Sequence, residues 1–297
     1  MKLKIWFLET RPQFLVLSVV LVLLGTAIAW NEGHFDLLRF ILTAIGLVLA
    51  HASVNVLNDY CDYKSGIDLE TKRTPFSGGS GILPAKFLEP EPTYKFGVGC
   101  LLVALFIGIY LAVVSGWLLL PLILLGGPVI YFYTSHLTKW LVGELWAGLG
   151  LGTLPVLGTY FVQTGHYSLG ALLASLAPGF LTANLLFLNE FPDVAADTKG
   201  GRYHLVIALG TKRAGRLYAF LMAMNYLCIV AGVVSKVMPA PSLIALFSVP
   251  LALKAISITF KHHNEPAEMV PALKVNVQTI LLTDALLALG YLLNSFR

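Results

Sequence analysis

The sequence predicts an all-α, polytopic membrane protein: nine transmembrane helices around a central cavity, with cap loops on the cytoplasmic side. Three observations lead there. Of 297 residues, 57% are hydrophobic and only 12% charged, about half the roughly 25% charge of a typical soluble domain. Apolar runs of about 20 residues, the length that crosses a bilayer, recur nine times. The cations fall almost entirely on one side of those runs. The same composition excludes a disordered chain, a collagen, a coiled coil or a small disulfide scaffold. Of the three cysteines, Cys100 and Cys228 lie in apolar runs as small core residues, and Cys61 has no second Cys or His at metal spacing.

The expected spans, in order, are Pro12–Trp30, Leu37–Asn58, Tyr94–Ser115, Leu118–Thr134, Leu141–Thr164, Leu169–Asn189, Ala214–Ser235, Ala240–Phe260 and Val270–Asn294. Turn residues separate them: Asn31-Glu32-Gly33, Ser115-Gly116, Gly165-His166 and Met238-Pro239. The fourth is short and follows the third through a tight turn. The first resembles a secretory leader, with Lys2, Lys4 and Ala27-Ile28-Ala29. Glu9 and Arg11 beside the run, and its length, favour a span.

Nine crossings put the termini on opposite sides. Seventeen of the 20 cations then share the N-terminal side, and only Arg39, Lys236 and Arg297 oppose them. The positive-inside rule places the N-terminus in the cytoplasm and the C-terminus across the cell membrane. A single domain over 1–297 is expected.

Two long polar connections lie on the cytoplasmic side, about Asp59–Glu91 and Glu190–Arg213, and hold nine of the sixteen carboxylates, seven of them at Asp59, Asp62, Asp68, Glu70, Glu190, Asp193 and Asp197. Asn55, Asp59 and Asp62 are spaced i, i+4 and i+7; Glu190, Asp193 and Asp197 are spaced i, i+3 and i+7. Each set shares one helix face, provided Pro192 is accommodated in a first turn or a kink. Like charges on one face repel unless a cation sits between them, and hard oxygen donors suit Mg²⁺, which takes carboxylates, waters and substrate phosphates. Two such faces across a cavity would hold Mg²⁺ bridged by a diphosphate. Solvated helix ends are the plainer alternative. Asn58-Asp59-x-x-Asp62 aligns with Asn189-Glu190-x-x-Asp193 at an offset of 131 residues, as two duplicated halves, about 1–134 and 135–297, would produce.

Lys64, Lys72 and Arg73 trail the first cluster, Lys199 and Arg202 the second, and Lys139 lies between spans four and five. These suit phosphate contact, with anionic lipid as the alternative; lipid contact accounts for Lys2, Lys4, Arg213 and Arg216. Phe76–Gly81 supplies a Gly-rich segment that could order over a ligand. Gly148, Gly150, Gly152 and Gly158 allow close helix packing or room for an apolar tail. Asp284 and Glu144 are acids in or beside spans without an assigned role. His51 and His204 read as hydrogen-bonded rather than metal-bound.

These residues resemble the UbiA superfamily of intramembrane prenyltransferases. The first cluster, through Asp68, looks like its Asn-Asp-x-x-Asp-x(n)-Asp signature, and Asp193 with Asp197 like its Asp-x-x-x-Asp signature. Gly200–Leu205 and Leu209-Gly210 are similar to the stretch that follows. Ser77–Gly81, the step from Asp62 to Asp68, Leu141–Leu145 and Gly158–Tyr160 lean towards the menaquinone branch, although Pro192 stands where that branch more often has Arg.

The resemblance implies transfer of a polyprenyl group from polyprenyl diphosphate to an aromatic acceptor such as 1,4-dihydroxy-2-naphthoate, with release of diphosphate. It implies Mg²⁺, two ions, held by Asp59, Asp62, Asp68, Asp193 and Asp197, with Asp59, Asp62, Asp193 and Asp197 catalytic. Asn55, Asn58, Lys64, Arg73, Lys139, Asn189, Lys199 and Arg202 would contact substrate, and Tyr131 and Tyr133, with Phe132, would face the allylic cation or form an interfacial belt. A glyceryl-phosphate acceptor of ether-lipid synthesis is the alternative. Outside this family, a cation transporter could use the same acids, and a membrane scaffold would leave them unexplained. No Asp-Gly-x-x-Ala-Arg pattern of a phosphatidyltransferase is present. The partners expected are the diphosphate, its acceptor and membrane lipids, with no nucleic acid.

Overall fold

A computed structural model describes residues 2–71, 73–134, 136–139 and 141–296, the side chain of Lys139 excepted. Lys72 and Arg297 lie outside it. The regular elements among the described residues are all helices, without a strand. The helices are α1 Lys2–Glu9, α2 Pro12–Asn31, α3 Leu37–Ser65, α4 Ile67–Glu70, α5 Pro90–Ser115, α6 Leu120–Phe132, α7 Gly143–Gly148, α8 Leu154–Thr164, α9 Leu169–Lys199, α10 Leu205–Leu209, α11 Thr211–Val234, α12 Val249–His262 and α13 Val270–Ser295.

Local chemistry sets the boundaries. Asp36 caps α3 by accepting from the Arg39 N–H at 2.9 Å, and Ser168 caps α9 by accepting from the Ala171 N–H at 3.1 Å. Gly66 and Gly165 end α3 and α8 at φ 83° and 79°, left-handed positions where a Cβ is strained. Arg39, one of the cations opposing the charge bias, donates to the Val162 carbonyl at 3.1 Å and the Val114 carbonyl at 2.9 Å. It thereby closes the C-terminal turns of α8 and α5.

Eight segments among the described residues are long and apolar enough to cross a membrane. The ninth expected span is the shorter apolar helix Trp117–Phe132, entered through a 3-10 turn at Trp117–Leu119 and carrying Pro128 inside. At 1.5 Å per residue it extends about 24 Å, short of the roughly 30 Å hydrocarbon core. The fifth span is not straight: α7 and α8 join through a π-type turn, Leu149–Thr153, in which Leu151 leaves helical geometry. Glycine lets this bent segment approach α9 closely. A Cβ on Gly148 would lie 2.6 Å from the Gly179 carbonyl, and one on Gly152 2.6 Å from the Pro178 carbonyl.

The centre of the bundle is α2, α8, α9 and α13, whose buried side chains form one core. Phe106, Leu124, Phe247 and Val234 on the outer helices are exposed apolar residues, as a lipid-facing surface requires. The second and sixth spans run past their expected ends. α3 continues seven residues beyond Asn58 and α9 ten beyond Asn189, with Pro192 inside the helix. The two acidic clusters therefore ride on continuous helices, not on loops.

Candidate active site

The extended ends of α3 and α9 come together at one end of a cavity of about 240 Å³. Asn55, Asn58, Asp62, Asp68, Asn189, Asp193, Asp197 and Arg202 line it. Arg202 joins the two clusters: its guanidinium donates to Asp62 on α3 and, at 3.3 Å, to Asp197 on α9. Against the pull of burial, these two carboxylates hold its pKa above the usual arginine range. Asn58 donates to Asp62 Oδ2 at 3.0 Å and to the Thr134 hydroxyl at 3.1 Å. Asn55 donates to the Thr10 carbonyl at 2.9 Å and so ties α3 to the corner between α1 and α2.

The Gly-rich segment closes over the acids. Phe76, Ser77, Gly78 and Gly79 line the cavity, and the Ser80 N–H donates to Asp59 Oδ2 at 2.7 Å. At φ 69°, a Cβ on Gly79 would come within 3.0 Å of Asp68 and 3.2 Å of Asp59, so only glycine lets the backbone pass this close. Ser80 Oγ donates to Glu9 Oε2 at 2.8 Å, bringing α1 into the arrangement.

Several of these oxygens have no partner: Asp59 Oδ1, Asp68 Oδ2, Asn189 Oδ1, Asp193 Oδ1 and Glu9 Oε1. Burial, then the charges of Asp62 and Asp59, pushes Asp68 up to about 8. Burial, then Asp59, pushes Glu9 up to about 8, against the Ser80 hydrogen bond and Arg11. A buried group of carboxylates with orphaned oxygens fits a hard divalent cation. The rest of the cavity wall is apolar, with Phe14, Leu47, Val54, Val129, Leu151 and Leu185 on it.

The structure does not bring every expected side chain here. Lys64 lies two residues from Asp62, about 200° around the helix; it pairs with Glu91 at 3.9 Å and sits over the Tyr60 ring. Lys199, two residues past Asp197, pairs with Glu70 at 3.4 Å on the surface. Tyr131 turns outward and shares a hydrogen bond with Tyr94 at 2.8 Å, while Tyr133 lines the cavity. Arg73 binds the carbonyls of Gly79 and Ser80, holding the loop from its outer side. The Lys139 side chain lies outside the described residues.

Sequence reasoning missed Arg11 and Glu9 as site neighbours. Arg11 adopts φ 53° between α1 and α2 and lines the cavity. Its place among cations flanking an apolar run masked that role, and nothing in the local sequence distinguishes it from a headgroup contact. His51 shares a hydrogen bond with Ser18 at 2.9 Å, in keeping with its expected hydrogen-bonded role.

The UbiA prenyltransferase family model matches residues 18–292. The chain belongs to the UbiA prenyltransferase family. This prenyltransferase is 29% identical to the 1,4-dihydroxy-2-naphthoate octaprenyltransferase of Bacillus subtilis (strain 168), over 97% of this chain and 92% of that one. Relatives of that name support the menaquinone-pathway branch within the family. Among solved structures, an apo UbiA homologue from Aeropyrum pernix K1 superposes with a TM-score of 0.72 at 17% identity, over 93% of this chain and 98% of that one. A UbiA homologue from Archaeoglobus fulgidus bound to GPP and Mg²⁺ does so with a TM-score of 0.63 at 14% identity, over 95% and 99%. At these identities the structures share the fold.

Proposed function

We propose that this UbiA enzyme transfers a polyprenyl group from its diphosphate to 1,4-dihydroxy-2-naphthoate or a close aromatic analogue, and releases diphosphate. The observation that carries the reading is the meeting of two acidic helix ends, bridged by Arg202 and rich in orphaned oxygens, at the mouth of an apolar cavity. Asp59, Asp62, Asp68, Asp193 and Asp197 are the residues that would hold Mg²⁺, two ions in this reading. When bound, Mg²⁺ neutralises the charge that develops on the diphosphate as the allylic C–O bond breaks.

The chain's own residues do the rest. Arg202 and Arg11 add positive charge where the diphosphate oxygens gather. Asn58 and Asn189 orient the carboxylates and substrate oxygens. Tyr133 offers an aromatic face to the allylic carbocation, and the apolar wall takes the prenyl tail and excludes water. The loop at Phe76–Ser80 shields the cation until the electron-rich carbon of the acceptor closes the new C–C bond and the acceptor gives up its proton. The relative from Bacillus subtilis, named for a naphthoate acceptor, supports that choice.

We further propose that Trp117–Phe132 completes nine crossings, with the N-terminus and site cytoplasmic. This rests on the distribution of cations. Incubating the purified enzyme and Mg²⁺ with radiolabelled geranylgeranyl diphosphate and, separately, dihydroxynaphthoate, hydroxybenzoate or a glyceryl phosphate tests the reaction. Label should move to the naphthoate; movement only to another acceptor, or to none, overturns the reading.

A further inference from the structure

Beside the aspartates lies a second group of side chains to which the proposed reaction assigns no role. Glu144 in α7, Glu190 in α9 and His204, just before α10, come from three segments of the chain. One donor atom from each lies within 4.8 Å of the other two. The residues are 3%, 9% and 2% exposed, respectively. Carboxylates this deep are costly without a counter-charge. Yet Glu144 Oε2 has no hydrogen-bond partner, and Glu190 Oε2 and the two His204 ring nitrogens meet their ion-pair partners only at 3.3 Å.

What surrounds the group orients it. The Leu205 N–H donates to Glu144 Oε1 at 2.9 Å, leaving Oε2 as the spare donor. His204 Nε2 lies 3.3 Å from Asp197 Oδ2, and Nδ1 lies 3.3 Å from Glu190 Oε2. The ring therefore faces Asp197 with one nitrogen and Glu190 with the other. A carboxylate behind the imidazole in this way is the usual support of a histidine metal ligand.

We infer that Glu144, Glu190 and His204 form a binding site for one divalent transition-metal ion of the Zn²⁺ class, separate from the Mg²⁺ aspartates. Two carboxylates and an imidazole suit such an ion, whereas Mg²⁺ prefers oxygen alone. Three protein ligands leave a fourth position for water or a ligand. Glu190 lines the cavity, so that position borders the space where an acceptor would enter. The ion would tie α7, α9 and the segment before α10 together. Asp197 would support it from outside while facing Arg202.

The test uses tag-free, full-length protein, stripped with a chelator and dialysed against micromolar Zn²⁺ in excess Mg²⁺ to fill the oxygen-only sites. Elemental analysis should find one Zn²⁺ per chain in the wild type and in Asp59→Asn. Glu144→Gln and His204→Gln should each weaken Zn²⁺ binding at least about tenfold. X-ray absorption at the zinc edge of the wild type, which needs no variant to fold, should show one imidazole among oxygen ligands. Loss of all Zn²⁺ in excess Mg²⁺, equal binding by the two variants, or a shell without imidazole would overturn the site.

Discussion

Replacing Arg202 with Ala removes a side chain that binds both acidic helix ends. The Arg202 side chain is 15% exposed, with Asp62 at 10% and Asp197 at 4%, so solvent cannot replace what is lost. Taking one partner from a buried ion pair costs about 3–5 kcal/mol, and the metal-free variant should melt well below the wild type. Mg²⁺ offers the same carboxylates another positive charge, so it should raise the melting temperature of Arg202→Ala more than that of the wild type. Catalysis has no such substitute. Losing a donor that meets developing charge costs about 2.7–4 kcal/mol, or roughly 100–1,000-fold in kcat/KM at 1.36 kcal/mol per decade. The apparent KM for the diphosphate substrate should also rise. Arg202→Lys keeps the charge but loses the fork that spans two carboxylates, and should fall between the two. The assay is steady-state transfer of labelled prenyl groups at saturating Mg²⁺. A kcat/KM within about threefold of the wild type, or an equal Mg²⁺ response of the two melts, would refute the bridging role.

Asp59→Asn and Asp193→Asn should each abolish Mg²⁺-dependent release of diphosphate, read by a coupled phosphate assay; full activity in either removes the proposed cation site. Asp68 and Glu9 are raised from ordinary values of 3.8 and 4.5 to about 8, so the folded, metal-free protein holds protons that the unfolded chain has released. Its stability should therefore fall as pH rises from about 4 to 8 and level off above that. Mg²⁺ should reverse the trend and release protons near pH 7, which melts at pH 5.5 and 8.5 in chelator or Mg²⁺ would check. Tyr133→Leu should lower kcat while Tyr131→Phe leaves it unchanged, because only Tyr133 lines the cavity; equal losses would argue against an aromatic wall. Gly152→Ala drives a Cβ to 2.6 Å from a backbone carbonyl and should cost about 1–3 kcal/mol. Gly99→Ala, with nothing within 4 Å, should melt as the wild type does.

The bundle was legible because hydropathy is additive along the chain: a run such as Leu169–Asn189 declares itself without knowledge of its neighbours. So was the grouping of the acids, since spacings of i, i+3, i+4 and i+7 put side chains on one helix face. The extent of α3 and α9 was less open to reading. Their last turns are polar and end a hydrophobic run, so composition marks a boundary where backbone hydrogen bonding continues through Pro192 to Lys199. That continuation decides which cations reach the site. On a continuous helix Lys64 and Lys199 are turned about 200° from the aspartates two residues before them, whereas Arg202, past the Gly200-Gly201 break, returns to face them. Glu9 and Glu144 share another cause. Each lies far in sequence from the partner that gives it meaning: Ser80 for Glu9 at 71 residues, and Leu205 for Glu144 at 61. Periodicity carries information about one helix face; pairings across the bundle arise only when loops set the order in which the helices pack. An acid in an apolar sequence thus says where to look for a compensating partner, and only the fold says whether there is one: Glu9 and Glu144 have theirs, whereas neither oxygen of Asp284 has one among the described residues.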